Sequence, residues 1–149
     1  MLPVSGYHTD MATSEFGNMI EEGTRLQLQF QKRGGLLPVV VQNCEDGMVL
    51  MLGYADPAAL QHTLATGYAT FYSTSRGKLW TKGETSGDRL QIQEVLVDCD
   101  QDSLLYRVEM LGDGACHTTR HTTGTARRSC FYRRIDGSGN ELAFLPDCD

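Results

Sequence analysis

The sequence predicts an α+β fold: a single domain on one antiparallel-rich sheet, with one main helix and a short N-terminal helix. Three observations carry that reading. Strand-type segments number six or seven against one clear helix. Asp-Gly and Arg-Gly pairs stand between them as hairpin turns. A length of 149 residues suits one domain of ordinary size. Hairpin-linked strands beside a lone helix are the α+β pattern.

The elements follow in order. Ser14 caps a short helix through Met19 and Ile20, and Gly23 ends it. Arg33-Gly34-Gly35 breaks the chain, after which Leu37 to Gln42 reads as a buried strand. Asp46-Gly47 turns it into the Met48 to Tyr54 strand. Asp56 as N-cap and Pro57 in the first turn open the main helix; Leu60 and Leu64 share a face, and Gly67 closes it. Tyr68 to Ser73 and Lys78 to Lys82 form strands around Arg76-Gly77. Leu90, Ile92, Val95 and Val97 keep a broken alternation, Leu104 to Met110 follows, and Cys130 to Arg134 is the last strand expected. The chain divides into an N-terminal extension, residues 1–25, and one domain, residues 26–149.

Composition narrows the function. With 40% hydrophobic and 21% charged residues the chain is a globular protein, not a disordered one. No apolar run reaches the roughly 18–20 residues of a membrane helix. The first 24 residues hold no Lys or Arg and no long apolar stretch, so no secretory signal is expected and the reading is cytoplasmic. Thirteen Lys and Arg against 19 acidic residues leave a charge of −6, which argues against a nucleic-acid partner. The five cysteines should then be reduced: buried thiols, or thiolate ligands to a metal.

Three segments carry chemistry. In Asp98-Cys99-Asp100-Gln101-Asp102, an extended backbone sets the three aspartates on one side and Cys99 on the other. Hard carboxylate oxygens suit Mg²⁺ or Ca²⁺, and a thiolate suits Zn²⁺. With Glu109 the aspartates also match EF-hand spacing, but Ser103 stands where that loop needs glycine. Cys116-His117 and Cys130 add two thiols to Cys99, and three protein ligands with an open position are the pattern of a catalytic zinc. His117, beside one of these thiols, is placed to move a proton, whereas His121 reads as an exposed loop residue. Finally, Ser73 to Gly87 packs hydroxyls, glycines and the cations Arg76, Lys78 and Lys82 around Trp80, a composition that suits a phosphate and a stacked base; a solvated hairpin is the plainer reading.

The strings Leu79-Trp80-Thr81-Lys82-Gly83-Glu84-Thr85-Ser86-Gly87, Asp98-Cys99-Asp100-Gln101-Asp102, Ala115-Cys116-His117-Thr118 and Ser129-Cys130-Phe131-Tyr132 occur in that order. Together with Gly35 to Gln42 and Val49 to Tyr54, they resemble the phosphoribosyl-AMP cyclohydrolase family over about Leu26 to Arg133. The resemblance implies a cytoplasmic homodimer that opens the N1–C6 bond of 1-(5-phosphoribosyl)-AMP in histidine biosynthesis. It implies Zn²⁺ on Cys99, Cys116 and Cys130, with ligands shared across the subunit interface, and Mg²⁺ on Asp98, Asp100 and Asp102. It makes His117 the catalytic histidine, and Arg76, Trp80, Lys82, Glu84, Thr85 and Ser86 the substrate-binding group. Thirteen residues separate Cys116 from Cys130 where the family has about six, and His117-Thr118-Thr119 is echoed by His121-Thr122-Thr123, so either histidine can match. Two alternatives stand beside it: a paralogue acting on another purine nucleotide, and a metal-binding module without activity.

Overall fold

A computed structural model describes residues 19–148. Residues 19–22 form a helical turn that Gly23 closes through its N–H on the Met19 carbonyl, 3.1 Å. The Ser14 cap expected for it lies outside the described residues.

Strand β1 (Leu37–Asn43) alternates buried Leu37, Val39, Val41 and Asn43 with half-buried Pro38, Val40 and Gln42. It turns at Asp46-Gly47 into β2 (Val49–Ala55), antiparallel, from Leu37 opposite Ala55 to Gln42 opposite Val49. The Asp46 carboxylate fixes that turn by accepting from the Met48 N–H, 3.0 Å, and the Asn43 amide, 2.9 Å. Helix α1 (Pro57–Thr66) starts as its cap predicts, with Asp56 accepting from the Ala59 N–H at 2.8 Å. Its buried face, however, is Ala59, Leu60 and Thr63; Leu64 is 58% exposed. The face at i, i+1 and i+4 from Ala59 wins because the helix lies across β3, where Thr63 exchanges hydrogen bonds with the Thr70 backbone at 3.0 and 3.1 Å.

The hairpin β3 (Thr70–Ser73) and β4 (Lys78–Thr81) sits apart from the main sheet, and β5 (Leu90–Val97) with β6 (Leu104–Met110) completes that sheet. The strand order is β2-β1-β6-β5. Its outer pairs are antiparallel, while β1 and β6 run parallel in register from Val39–Leu104 to Asn43–Val108. Periodicity identifies each strand but not its neighbour, so this central parallel pair was not readable in advance.

The two faces differ. On the inner face Leu37, Val39, Val41, Leu104, Tyr106 and Val108 pack under α1 and Phe71. Gly53 makes this possible: a Cβ there would stand 2.5 Å from Phe71 Cδ1. Gly53→Ala must therefore move a ring that also stacks at 5.1 Å on Trp80 and 5.9 Å on Tyr106. We expect a loss of about 1–3 kcal/mol, read as a lowered denaturation midpoint; an unchanged midpoint would mean that the ring has room to shift. On the outer face Leu52, Val40, Leu105 and Leu96 are register partners, forming one aliphatic row across all four strands. Leu52 is 47% and Leu96 40% exposed.

The last strand begins at Arg133, not Cys130: β7 (Arg133–Ile135) pairs with β8 (Leu142–Phe144), a strand the sequence reading missed. Cys130 is instead tied to β2, its N–H donating to the Leu50 carbonyl at 2.7 Å. Among the described residues no helix is long and apolar enough to cross a membrane.

Candidate active site

Beyond β6 the chain enters a loop pinned to the one after β4. Leu111 N–H donates to the Arg89 carbonyl, 3.0 Å, and Asp113 N–H to the Asp88 carboxylate, 3.2 Å. The chain then pairs with its own return segment. Ala115 and Cys116 N–H groups donate to the Arg128 and Arg127 carbonyls, each at 3.0 Å, and Arg127 N–H donates to the Thr118 carbonyl at 3.0 Å. The thirteen residues between Cys116 and Cys130 thus rise as a hairpin whose tip reverses at Arg120–Thr125, 2.8 Å. Its closed base leaves the two cysteines adjacent, and a longer connection costs little when its ends already meet.

This packing encloses a cleft of about 410 Å³. Lys82 and Ser86 line it on one side, Cys116 and His117 on another, and Thr119 on the hairpin wall. Asp88 and Asp113, which sequence reasoning did not select, also line it. The Cys116 sulfur meets the Thr118 hydroxyl at 2.9 Å and the Thr118 N–H at 3.4 Å. Burial, and then the hydrogen-bonded Cys116 beside it, push the Cys130 thiol up to about 11, with Lys82 opposing. Raised above the ordinary thiol value of 9.0, the group keeps its proton more tightly in the folded chain than in the unfolded one. In metal-free protein the stabilisation is complete below pH 9 and is lost between pH 9 and about 11. Denaturation midpoints measured across that window should fall for the wild type and fall less for Cys130→Ala; parallel curves would remove Cys130 as the cause.

The other predicted residues divide. Asp98, Asp100 and Asp102 offer carboxylate oxygens within 4.8 Å of one another, the one such group of three or more among the described residues. They converge through a turn between β5 and β6, with Gln101 at φ 57°, and not through the strand alternation expected from the sequence. The Asp98 carboxylate organises the turn by accepting from the Asp102 N–H, 2.9 Å, and the Ser103 N–H, 3.1 Å. Two cations from the turn Phe30–Arg33 face the cluster: Lys32 Nζ lies 2.8 Å from Asp102 and 3.0 Å from Asp100, and Arg33 lies 3.0 Å from Asp102. The Lys32 ammonium holds the Asp102 carboxyl well below the usual carboxylate range. Sequence reasoning passed over both cations, although Lys32-Arg33 before a double glycine was the visible signal.

Cys99 sits in this same turn, exposed, before β6, whereas Cys116 follows β6. Among the described residues the ligand atoms of Cys99, Cys116 and Cys130 do not all come within 4.8 Å of one another, so within one protomer the three thiols form no common site. Trp80 is half-buried against the core with its ring on Phe71. Glu84 lines a separate surface pocket with Thr81, Tyr68 and Arg89. Thr85 is exposed in the loop that carries Lys82 and Ser86. Arg76, in the β3–β4 turn, lies at the other end of that hairpin from Lys82.

A cleft that gathers an imidazole, a thiol, an ammonium and hydroxyls defines an enzyme acting on a small polar molecule. The family model for phosphoribosyl-AMP cyclohydrolase matches residues 51–132. A phosphoribosyl-AMP cyclohydrolase of Desulfatibacillum aliphaticivorans is 46% identical over 112 residues, covering 75% of this chain and 84% of that protein. Another, from Methanothrix thermoacetophila, is 51% identical over 104 residues, 70% of this chain and 79% of that protein. A histidine biosynthesis bifunctional protein of Aquifex aeolicus is 48% identical over 113 residues, 76% of this chain and 51% of that protein. The chain belongs to the phosphoribosyl-AMP cyclohydrolase family, as its motifs implied, and is a hydrolase of histidine biosynthesis. A metal-binding module without activity is thereby set aside.

Proposed function

We propose that the chain adds water across the N1–C6 bond of the adenine ring in 1-(5-phosphoribosyl)-AMP, yielding the formimino-carboxamide ribonucleotide. The observation that carries this reading is the cleft in which Cys116, hydrogen-bonded to Cys130, lies with His117 opposite Lys82 and Ser86. His117 takes the proton of the attacking water as its oxygen bonds to C6, and returns a proton to N1 as the C6–N1 bond breaks. Lys82, Ser86 and Thr85 receive a phosphate through charge and hydroxyl donors. Glu84 shapes the same loop by accepting from the Thr81 N–H at 3.3 Å. Trp80 supports the loop from the core, and Arg76 serves the substrate from the far end of the hairpin.

The donor sets fit two metals. Cys116 and Cys130 supply two adjacent thiols for Zn²⁺, and Cys99 from a second copy supplies the third. Zinc so held provides Lewis-acid activation of the attacking water. Asp98, Asp100 and Asp102 are hard oxygen donors for Mg²⁺. The aliphatic row Leu52–Val40–Leu105–Leu96 is the surface on which a homodimer would bury its sheets, and β6 links it directly to the Cys99 turn. Asp100→Asn is expected to keep its zinc while activity loses its response to added Mg²⁺; an undiminished response would remove these carboxylates from the mechanism.

The deciding test incubates purified chain with phosphoribosyl-AMP, Zn²⁺ and Mg²⁺ and follows the product by mass spectrometry. A product heavier by one water that disappears with chelator is expected. A folded, zinc-loaded chain that forms none would instead be a paralogue acting on another purine nucleotide.

A further inference from the structure

We propose that Arg127 is a positioning residue for the Cys116–His117 segment, held from outside by the C-terminal strap that follows β8. The proposal rests on reading Cys116 and Cys130 as metal ligands. Arg127 is only 4% exposed, and a buried guanidinium is costly unless partners surround it. The strap and its neighbours provide them. Arg127 Nε donates to the Cys148 carbonyl at 3.1 Å, and the guanidinium lies 4.3 Å from the Tyr132 ring and 5.5 Å from the Phe144 ring. A second arginine, Arg120, reaches the carbonyl of Asp147, so both sides of the hairpin are tied to the same few residues.

The backbone of Arg127 faces the other way, toward the cleft. Its carbonyl receives the Cys116 N–H and its N–H donates to Thr118, the residue that contacts the Cys116 sulfur. Gly114 lets these segments close: a Cβ there would stand 2.2 Å from the Arg127 carbonyl oxygen. A continuous line of contacts therefore runs from the strap through the guanidinium and the Arg127 backbone to the thiol. Residues 133–148 lie past the end of the family match, so this brace comes from a part of the chain that the family model does not cover. Without it the hairpin base is free to open locally, and Cys116 must be ordered when metal binds.

The test measures zinc affinity by competition with a chromophoric chelator, alongside kcat and KM for phosphoribosyl-AMP. Arg127→Ala is expected to weaken zinc binding by about 10–100-fold, as loss of a ligand's supporting contacts does, with kcat falling more than KM rises. Arg127→Lys keeps a cation against the rings and should recover part of both. Phe144→Ala, a milder cut that leaves the arginine in place, should move zinc affinity in the same direction and serves if Arg127→Ala does not fold. The core variant Val41→Ala should lower the denaturation midpoint and leave zinc affinity alone. Folded Arg127→Ala or Phe144→Ala protein with wild-type zinc affinity would overturn the proposal. A wild-type chain that binds no zinc at all would overturn the metal reading beneath it, which is a different result from the same titration.

Discussion

Cys99→Ser and Cys130→Ser, each expected to be inactive alone, should recover about a quarter of wild-type turnover when unfolded together and reassociated. The reasoning is geometric. Cys99 precedes β6 and Cys116 follows it, and among the described residues of one protomer the three thiols form no common ligand group. A site using all three thiols must then draw Cys99 from one copy and the Cys116–Cys130 pair from another. In a two-fold dimer with two such sites, random pairing makes about half the dimers mixed, and each mixed dimer has one site with every ligand intact. Mixing Cys116→Ser with Cys130→Ser is the control: both lesions fall on the same side of the site, so no intact site forms. A site contained in one protomer would recover nothing from either mixture. Zinc content should follow activity in every case. Cys44→Ser should retain both, because Cys44 sits at the β1–β2 turn with its N–H on the Val108 carbonyl, outside the cleft. Full zinc and turnover in Cys130→Ser would remove that residue from the ligand set.

The sequence was most informative where a local rule decides the outcome. Asp56-Pro57 and Gly67 bound α1 because capping and proline geometry act within one turn. The apolar run at Leu37–Gln42 marked β1 because that strand lies inside the sheet, between β2 and β6. It was least informative where partners lie far apart in the chain. The aspartates cluster in a turn that Gln101 ties to the preceding chain: its carbonyl receives the Gln29 N–H at 2.8 Å, and its amide donates to the Ile20 and Arg25 carbonyls at 3.1 and 3.2 Å. None of these contacts leaves a periodic trace. The same holds for Arg127, whose burial depends on Phe144 and Cys148, and for β8, three residues beside a Gly- and Ser-rich turn. Exact strings located the cysteines and His117. Only the fold shows that Cys116 and His117 share a cleft while Cys99 lies in the aspartate turn.

The repeat of His-Thr-Thr leaves two histidines as candidates in the sequence, and the hairpin separates them. His117 adjoins Cys116 at the base, where its ring lines the cleft with Lys82 and Ser86. His121 lies toward the tip, edge-on to Phe144 with ring centroids 6.0 Å apart. A proton donor must reach the reacting atoms directly or through one water, and of the two histidines it is His117 that lines the cleft. His117→Asn is therefore expected to lower kcat by about 10²–10⁴-fold, the usual worth of a positioned acid–base group, with zinc content and denaturation midpoint unchanged. His121→Asn is a surface substitution and should stay within about twofold of wild type. The contrast matters more than either value, because a loosened hairpin would lower both variants together and would also shift zinc affinity. Equal losses in the two variants would place the proton transfer on some other group of the cleft, and Asp88 or Asp113 would be the next carboxylates to exchange.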